Sequence, residues 1–275
     1  MAPRSSSITA SHGDQSVVDL AYDETGSGPP LLLLPGLSGN ARDWAPLLPA
    51  LAARFRVIAL DPRGAGLSPA PPGPYTMRLM ADDAATLLDR LGVARSHVVG
   101  WSFGGAVAQE LALAYPARVD RLVLMSSNAR GRPAFDAWQT FFGQVYERGL
   151  DSTGFRLWLM GWLFTPTFMT QPALVEAVLT EPDANSSYPE APVHGVMAQV
   201  AAARDHDTLA RLGQIAAETL VLVGPEDILT PVPDAEELAR GIPAARLQVL
   251  ERGGHAVVAE YPAAVAEALL AFLDP

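Results

Sequence analysis

The sequence predicts an α/β fold built on a mostly parallel sheet, and two observations predict it. Short runs rich in Val, Leu and Ile alternate with longer amphipathic stretches, as expected of strands connected by covering helices. Several of these runs are apolar at consecutive positions, so both faces of the strand are expected to be buried, as in a parallel sheet.

The strands are expected at Leu31 to Leu34, Val57 to Leu60, His97 to Gly100, Leu122 to Met125, Leu220 to Val223 and Leu247 to Leu250. Between them, Met80, Ala84, Leu87, Leu88 and Leu91 recur at helical spacing in the segment from Met77 to Leu91, with Thr76 placed to cap the start and Gly92 to end it. A second helix is expected in AVAQELALAY, and a last one from Ala263 to Leu273 after Pro262. The Pro-rich stretch from Pro69 to Tyr75 reads as a surface loop. From about Gly131 to Gly213 no clear buried strand occurs, yet Trp138, Trp158, Trp162 and six of the nine phenylalanines fall there. This region reads as a helical insertion whose rings could form its own core or wall an apolar pocket, and some of Phe141, Phe142, Trp158, Trp162 and Phe164, with Trp101, are expected to line that pocket. The organisation is therefore a flexible N-terminal tail at 1–15, a core formed by 16–130 and 214–275, and a helical cap at 131–213.

At 275 residues with 49% hydrophobic content, the chain buries enough apolar surface to need no disulfide or metal staple. A net charge of −11 repels phosphate backbones and anionic headgroups, so neither nucleic acid nor a membrane surface is an expected partner. Every basic residue is arginine, which excludes a Schiff-base or phosphate-loop lysine, and the absence of cysteine excludes a thiol nucleophile. The first fifteen residues lack a signal peptide's apolar core and no run spans a bilayer, so the expected location is cytoplasmic. Oligomeric state is not legible.

The chemistry begins at Gly100-Trp101-Ser102-Phe103-Gly104-Gly105, a GxSxG turn between a strand and a helix. Such a turn exposes the serine hydroxyl, and the amide of Phe103 at the helix start would face a developing oxyanion. Serine needs a base within hydrogen-bond reach. Of five histidines, His12 lies in the tail, and His97, His194 and His206 read as structural hydrogen-bonding residues. His255 stands apart, on a Gly253-Gly254 loop after a strand, where parallel sheets form their crevices. Asp227 follows the strand TLVLV and could orient the imidazole, giving the order serine, acid, histidine; Glu226 is adjacent, and spacing alone leaves that choice open. The turn Leu34-Pro35-Gly36-Leu37-Ser38-Gly39 could bring the amide of Leu37 to the same oxyanion. Asp61 and Arg63 read as braces of the following loop.

Together the segments LPGLSGN, DPRGAGLS, GWSFGG, GPEDILTP and GGH resemble the α/β-hydrolase superfamily, from about residue 16 to the C-terminus. The stretch GWSFGGAVAQELALAYPARVDRLVL looks like the branch of 3-oxoadipate enol-lactonases and cofactor-free haloperoxidase-like esterases. That resemblance implies an eight-stranded sheet, a helical cap inserted after strand six, and a triad of Ser102, Asp227 and His255. Many relatives carry histidine where this chain has Pro35. Relatives that open haloalkanes or epoxides use an aspartate nucleophile, and Ser102 speaks against those activities. The expected function is cleavage of an ester or lactone in a small, largely apolar molecule through an acyl-enzyme, without cofactor or metal. Carbon-carbon bond hydrolysis, lyase or cyclase chemistry with the same triad is the alternative enzyme reading. A ligand receptor on a hydrolase fold is the non-catalytic one.

Overall fold

The computed structural model describes residues 16–148, 152–179 and 191–274. The expected tail at 1–15, His12 included, lies outside them.

In chain order the strands are β1 (Tyr22–Thr25), β2 (Pro30–Leu34), β3 (Arg56–Leu60), β4 (Ser96–Trp101), β5 (Val119–Met125), β6 (Glu218–Val223) and β7 (Ala245–Val249). Among the described residues they form one seven-stranded sheet in the order β1-β3-β2-β4-β5-β6-β7, parallel except for the antiparallel β1. The connecting helices are α1 (Leu48–Leu51), α2 (Met77–Arg90), α3 (Phe103–Ala114), α4 (Pro133–Arg148), α5 (Ser152–Leu163), α6 (Pro166–Met169), α7 (Pro172–Leu179), α8 (Val193–Arg204), α9 (Val232–Gly241), α10 (Val257–Glu260) and α11 (Pro262–Leu273).

The consecutive apolar residues are explained by two separate cores, one on each face of the sheet. Along β2, Leu32 and Leu34 face a cluster with α2 and α3, whereas Leu31 and Leu33 face one with α1 and α11. Side chains alternate along a strand, so a strand covered on both sides must be apolar at every position. On α2, the Thr76 hydroxyl accepts from the Leu79 amide, and Gly92 takes the positive φ that ends the helix.

The expected eight strands become seven among the described residues, and the helical segment follows the fifth. The reason lies ahead of β1, where backbone amides are taken by side chains instead of a neighbouring strand. Val18 N–H donates to Asp83 Oδ1 at 2.9 Å and Ala21 N–H to Ser68 Oγ at 2.8 Å. β1 itself has no apolar run; only Tyr22 is half-buried, and pairing with β3 fixes its position. At the other edge, β7 begins two residues before the apolar run and ends one short of Leu250, whose amide still reaches the Val223 carbonyl at 2.9 Å. The loop from Pro69 to Tyr75 runs over the surface and is pinned by buried Tyr75, whose hydroxyl donates to the Pro71 carbonyl. Between β5 and β6 the described chain is helical, α4 to α8, with no strand. No helix among the described residues is long and apolar enough to cross a membrane.

Candidate active site

β4 delivers Ser102 to the C-terminal edge of the sheet, and α3 begins at the next residue. Ser102 has φ 55° and ψ −116°, a backbone conformation that costs a non-glycine residue about 1–3 kcal/mol. Three hydrogen bonds hold it there. Its amide donates to the Met125 carbonyl at 2.8 Å, and its carbonyl accepts from the Gly105 amide and the Ser127 hydroxyl, each at 2.9 Å. The two glycines of the motif permit the tight turn: a Cβ on Gly100 would strike the Gly104 carbonyl, and one on Gly104 would strike that of Leu34.

Loops after β6 and β7 bring the other two groups to this hydroxyl. His255 Nε2 lies 2.8 Å from Ser102 Oγ, and His255 Nδ1 lies 2.9 and 3.1 Å from the two Asp227 oxygens. Of the two adjacent carboxylates, Asp227 is buried against the imidazole while Glu226 is exposed. The Leu229 and Thr230 amides and the Thr230 hydroxyl all donate to Asp227 at 2.9 Å. Burial works to raise the Asp227 pKa, but the neighbouring imidazole and the Thr230 donors outweigh it and hold the carboxyl below its ordinary range. An ionised carboxylate only accepts, so His255 Nδ1 carries the proton and Nε2 is left to accept from the serine.

The imidazole loop is fastened on both sides. Trp101 Nε1–H donates to the His255 carbonyl at 3.0 Å, and the Ala256 amide donates to the Leu163 carbonyl at 2.8 Å. Glu260 accepts from the Gly254 amide at 3.3 Å and the Thr165 amide at 2.6 Å, joining the histidine loop to the helical segment. Burial is the largest influence on Glu260 and pushes its pKa up.

Facing Ser102 is the loop after β2. A Cβ built on Gly36 would lie 3.8 Å from that of Ser102, so the backbone entering Leu37 passes close to the hydroxyl. The buried amide of Gln199, on α8, fixes this loop: its Oε1 accepts from Ser38 N–H at 2.9 Å and its Nε2 donates to the Arg63 carbonyl at 2.8 Å. Asp61 accepts from the Ala41 and Leu67 amides, both at 2.8 Å, and Arg63 pairs with buried Asp83. These residues brace the loops and do not line the cavity beside Ser102.

That cavity measures about 530 Å³, and Leu37, Ser102, Phe103 and His255 form its floor. Of the expected wall, Trp101, Phe142 and Phe164 line it, whereas Phe141, Trp158 and Trp162 do not. Phe141 and Trp162 are 50% and 38% exposed, on the outer side of their helices. Trp158 stacks behind Trp138 with centroids 6.2 Å apart, in the layer next to the wall. Phe135, Trp138 and Gln139 line the cavity and were not expected to do so. Their spacing with Phe142 is i, i+3, i+4 and i+7, a helical face that periodicity within α4 could have revealed. His206 also lines the cavity, and its ring lies beside the Asn128 carbonyl. His97 lies within β4, edge-on to Phe55, and exposed His194 contacts the Ala70 carbonyl. Gln199 gave no motif and acts on backbone groups that only folding brings near, whereas Thr230 sits within GPEDILTP and donates to Asp227 three residues before it. Among the described residues no group of three or more His, Asp or Glu side chains could hold a metal ion.

The family model described as alpha/beta hydrolase fold matches residues 29–262. The chain belongs to the alpha/beta hydrolase family. A relative from Azorhizobium caulinodans, provisionally named as the carbamate hydrolase RutD, is 34% identical over 95% of this chain and 96% of its own. The crystal structure of a provisionally named non-heme bromoperoxidase, BpoC, from Mycobacterium tuberculosis H37Rv superposes with a TM-score of 0.86 at 30% identity, covering 96% of this chain and 98% of that one. The enol-lactonase from Burkholderia xenovorans LB400 does so with a TM-score of 0.82 at 26% identity, over 94% and 97% of the two chains. This alpha/beta hydrolase is accordingly an enzyme with hydrolase relatives across nearly its whole length.

Proposed function

We propose that this hydrolase cleaves an ester or lactone of a small, largely apolar molecule through an acyl-enzyme on Ser102. The observation that carries the reading is the hydrogen-bonded row from Ser102 Oγ through His255 to Asp227, open to a mainly apolar cavity. His255 Nε2 takes the hydroxyl proton as Ser102 Oγ attacks the carbonyl carbon. Asp227 holds the imidazole tautomer and stabilises the imidazolium. The Ser102 amide is engaged by the Met125 carbonyl, so the oxyanion falls to Phe103 N–H, first in α3 with no intrahelical acceptor, and to Leu37 N–H. Collapse of the tetrahedral intermediate breaks the bond to the leaving oxygen, which His255 protonates; an ester's alcohol departs, and a lactone's hydroxyl stays on the acyl chain. The same imidazole then draws a proton from water, which attacks the acyl carbon, and returns it to Ser102 Oγ as the acyl–oxygen bond breaks and the acid is freed. The helices between β5 and β6 act as a cap over this chemistry, and an enol-lactonase among the structural neighbours agrees with the choice of bond.

Ser102→Ala is expected to lower turnover of p-nitrophenyl acetate by at least about 10⁴-fold while the circular dichroism spectrum is unchanged. Undiminished turnover would remove Ser102 from the mechanism.

A further inference from the structure

The two oxyanion donors of the proposed mechanism are held in different ways. Phe103 N–H is the first of α3 and is fixed by that helix. Leu37 N–H belongs to a tight turn, Gly36 to Gly39, closed by the Gly39 amide on the Gly36 carbonyl at 3.1 Å. Of its two central residues only Ser38, at φ 57°, is left-handed, the pattern of a type II turn, which favours glycine at that place. A serine there is strained, so the turn needs more than its own hydrogen bond to keep it.

The helical segment between β5 and β6 supplies the rest. Gln199 lies on α8, 161 residues from Ser38 in sequence, and is fully buried. Its Oε1 accepts from Ser38 N–H at 2.9 Å, and its Nε2 donates to the Arg63 carbonyl at 2.8 Å. An amide hydrogen needs an acceptor and a carbonyl needs a donor, so the two partners fix which way the side-chain amide points. The far anchor is itself rigid, because the Arg63 guanidinium donates twice to buried Asp83 on α2, at 2.5 and 2.6 Å. Helix α8 also seats directly on the Arg63 loop. A Cβ on Gly195 would lie 2.6 Å from the Gly64 carbonyl oxygen, and Gln199 follows one turn later on the same helical face. Leu37 is held from its other side as well: its side chain packs against the cluster of Trp138, Phe142, Val196, Val200 and Leu229, two of them on α8.

We propose that Gln199 is a positioning residue for the oxyanion site: it keeps Ser38 left-handed and thereby holds the Leu37 amide on the carbonyl oxygen of the group that Ser102 attacks. The inference rests on the serine mechanism proposed above and adds that one oxyanion donor is set by the helical segment, whereas the other is set by the sheet edge. Gln199 does not line the cavity, so its loss is expected in kcat and not in KM.

The test replaces Gln199 with methionine, which has nearly the same length and neither polar atom. With p-nitrophenyl butyrate, Gln199→Met is expected to lower kcat by about 100-fold while KM stays within about threefold of wild type. Hexyl trifluoromethyl ketone gives a readout that looser packing would not move. Ser102 Oγ adds to its carbonyl carbon, the hydroxyl proton passes to His255, and the former carbonyl oxygen becomes an oxyanion. Inhibition by this ketone should weaken by the same factor as kcat/KM. Adding Ser38→Gly should recover at least about tenfold of the lost kcat, because glycine takes the positive φ unaided. A kcat within about threefold of wild type, a loss carried by KM, unchanged ketone inhibition, or no recovery with Ser38→Gly overturns the proposal. If Gln199→Met does not fold by circular dichroism, Gln199→Asn, an amide too short to span both partners, is held to the same criteria. Ser102→Ala is measured alongside. Undiminished turnover there refutes the serine mechanism and this proposal with it, whereas an inactive Ser102→Ala beside a fully active Gln199→Met refutes the positioning role alone.

Discussion

Three carboxylates in the loops at the C-terminal edge of the sheet and three side chains of the cavity wall satisfy their polar groups in opposite ways. At the edge, Asp227 receives three donors besides the imidazole, Asp61 takes two backbone amides, and Glu260 takes those of Gly254 and Thr165. In the helical wall, Trp138 Nε1, Gln139 Oε1 and both nitrogens of nearby His206 have no hydrogen-bond partner. A paired, buried network has one geometry, as the proposed proton transfer at Ser102 would require. The proposed function gives reaction to the sheet edge and selection to the wall.

The largest effect should come from breaking the paired side. Asp227→Asn places an amide opposite His255 Nδ1, favours the wrong tautomer, and is expected to lower kcat by about 10⁴-fold with little change in KM. Steady-state kinetics on a p-nitrophenyl ester reads this directly, and a loss confined to KM would move Asp227 to the selecting side.

Within the wall, neighbouring rings should behave differently. Phe142 is buried on the cavity and Phe141 is half-exposed away from it. Phe142→Leu is expected to shift the preference among acyl chain lengths by about fivefold to tenfold in kcat/KM, and Phe141→Leu by less than about twofold. Comparable shifts in both would mean that the cavity wall is drawn wrongly.

The smallest effect is on stability against pH. Burial lowers the His206 pKa from its ordinary value of 6.5 to about 4 in the folded chain. Between these values the unfolded chain binds a proton that the folded chain does not, so stability is lost as pH falls through this window. Summed over it, the loss is on the order of 3 kcal/mol. Urea titrations of wild type and His206→Phe should show a shallower decline in the variant from pH 6.5 to pH 4. Asp43 and Asp234, both pushed up to about 6 by burial, bind protons in the folded state and act in the opposite direction. The difference between wild type and variant isolates the histidine.

Legibility in the sequence followed the same division. β2, β3 and β6 could be read because strands covered on both faces must be apolar throughout. β1 could not, because YDET owes its place to pairing with β3 and not to burial. The convergence of Ser102, His255 and Asp227 was legible because each follows a strand end in a turn with its own signature. Gln199 was not, because its partners, Ser38 N–H and the Arg63 carbonyl, are backbone groups brought near only by the fold, and Thr230, though within GPEDILTP, carries no signal of its own for its bonds to Asp227. In the wall, aromatic content announced a pocket but not its members. Trp101, Phe142 and Phe164 reach it while Phe141, Trp158 and Trp162 do not, a distinction set by helix rotation. Sequence order identified Ser102 more securely than it could orient α4.

The most direct measurement is intact-protein mass spectrometry after brief exposure to diisopropyl fluorophosphate, followed by peptide mapping. The geometry at Ser102 requires one adduct per chain, on that serine, and its near absence in a folded His255→Ala variant. An unmodified wild-type chain, or an adduct on any other residue, would contradict the account.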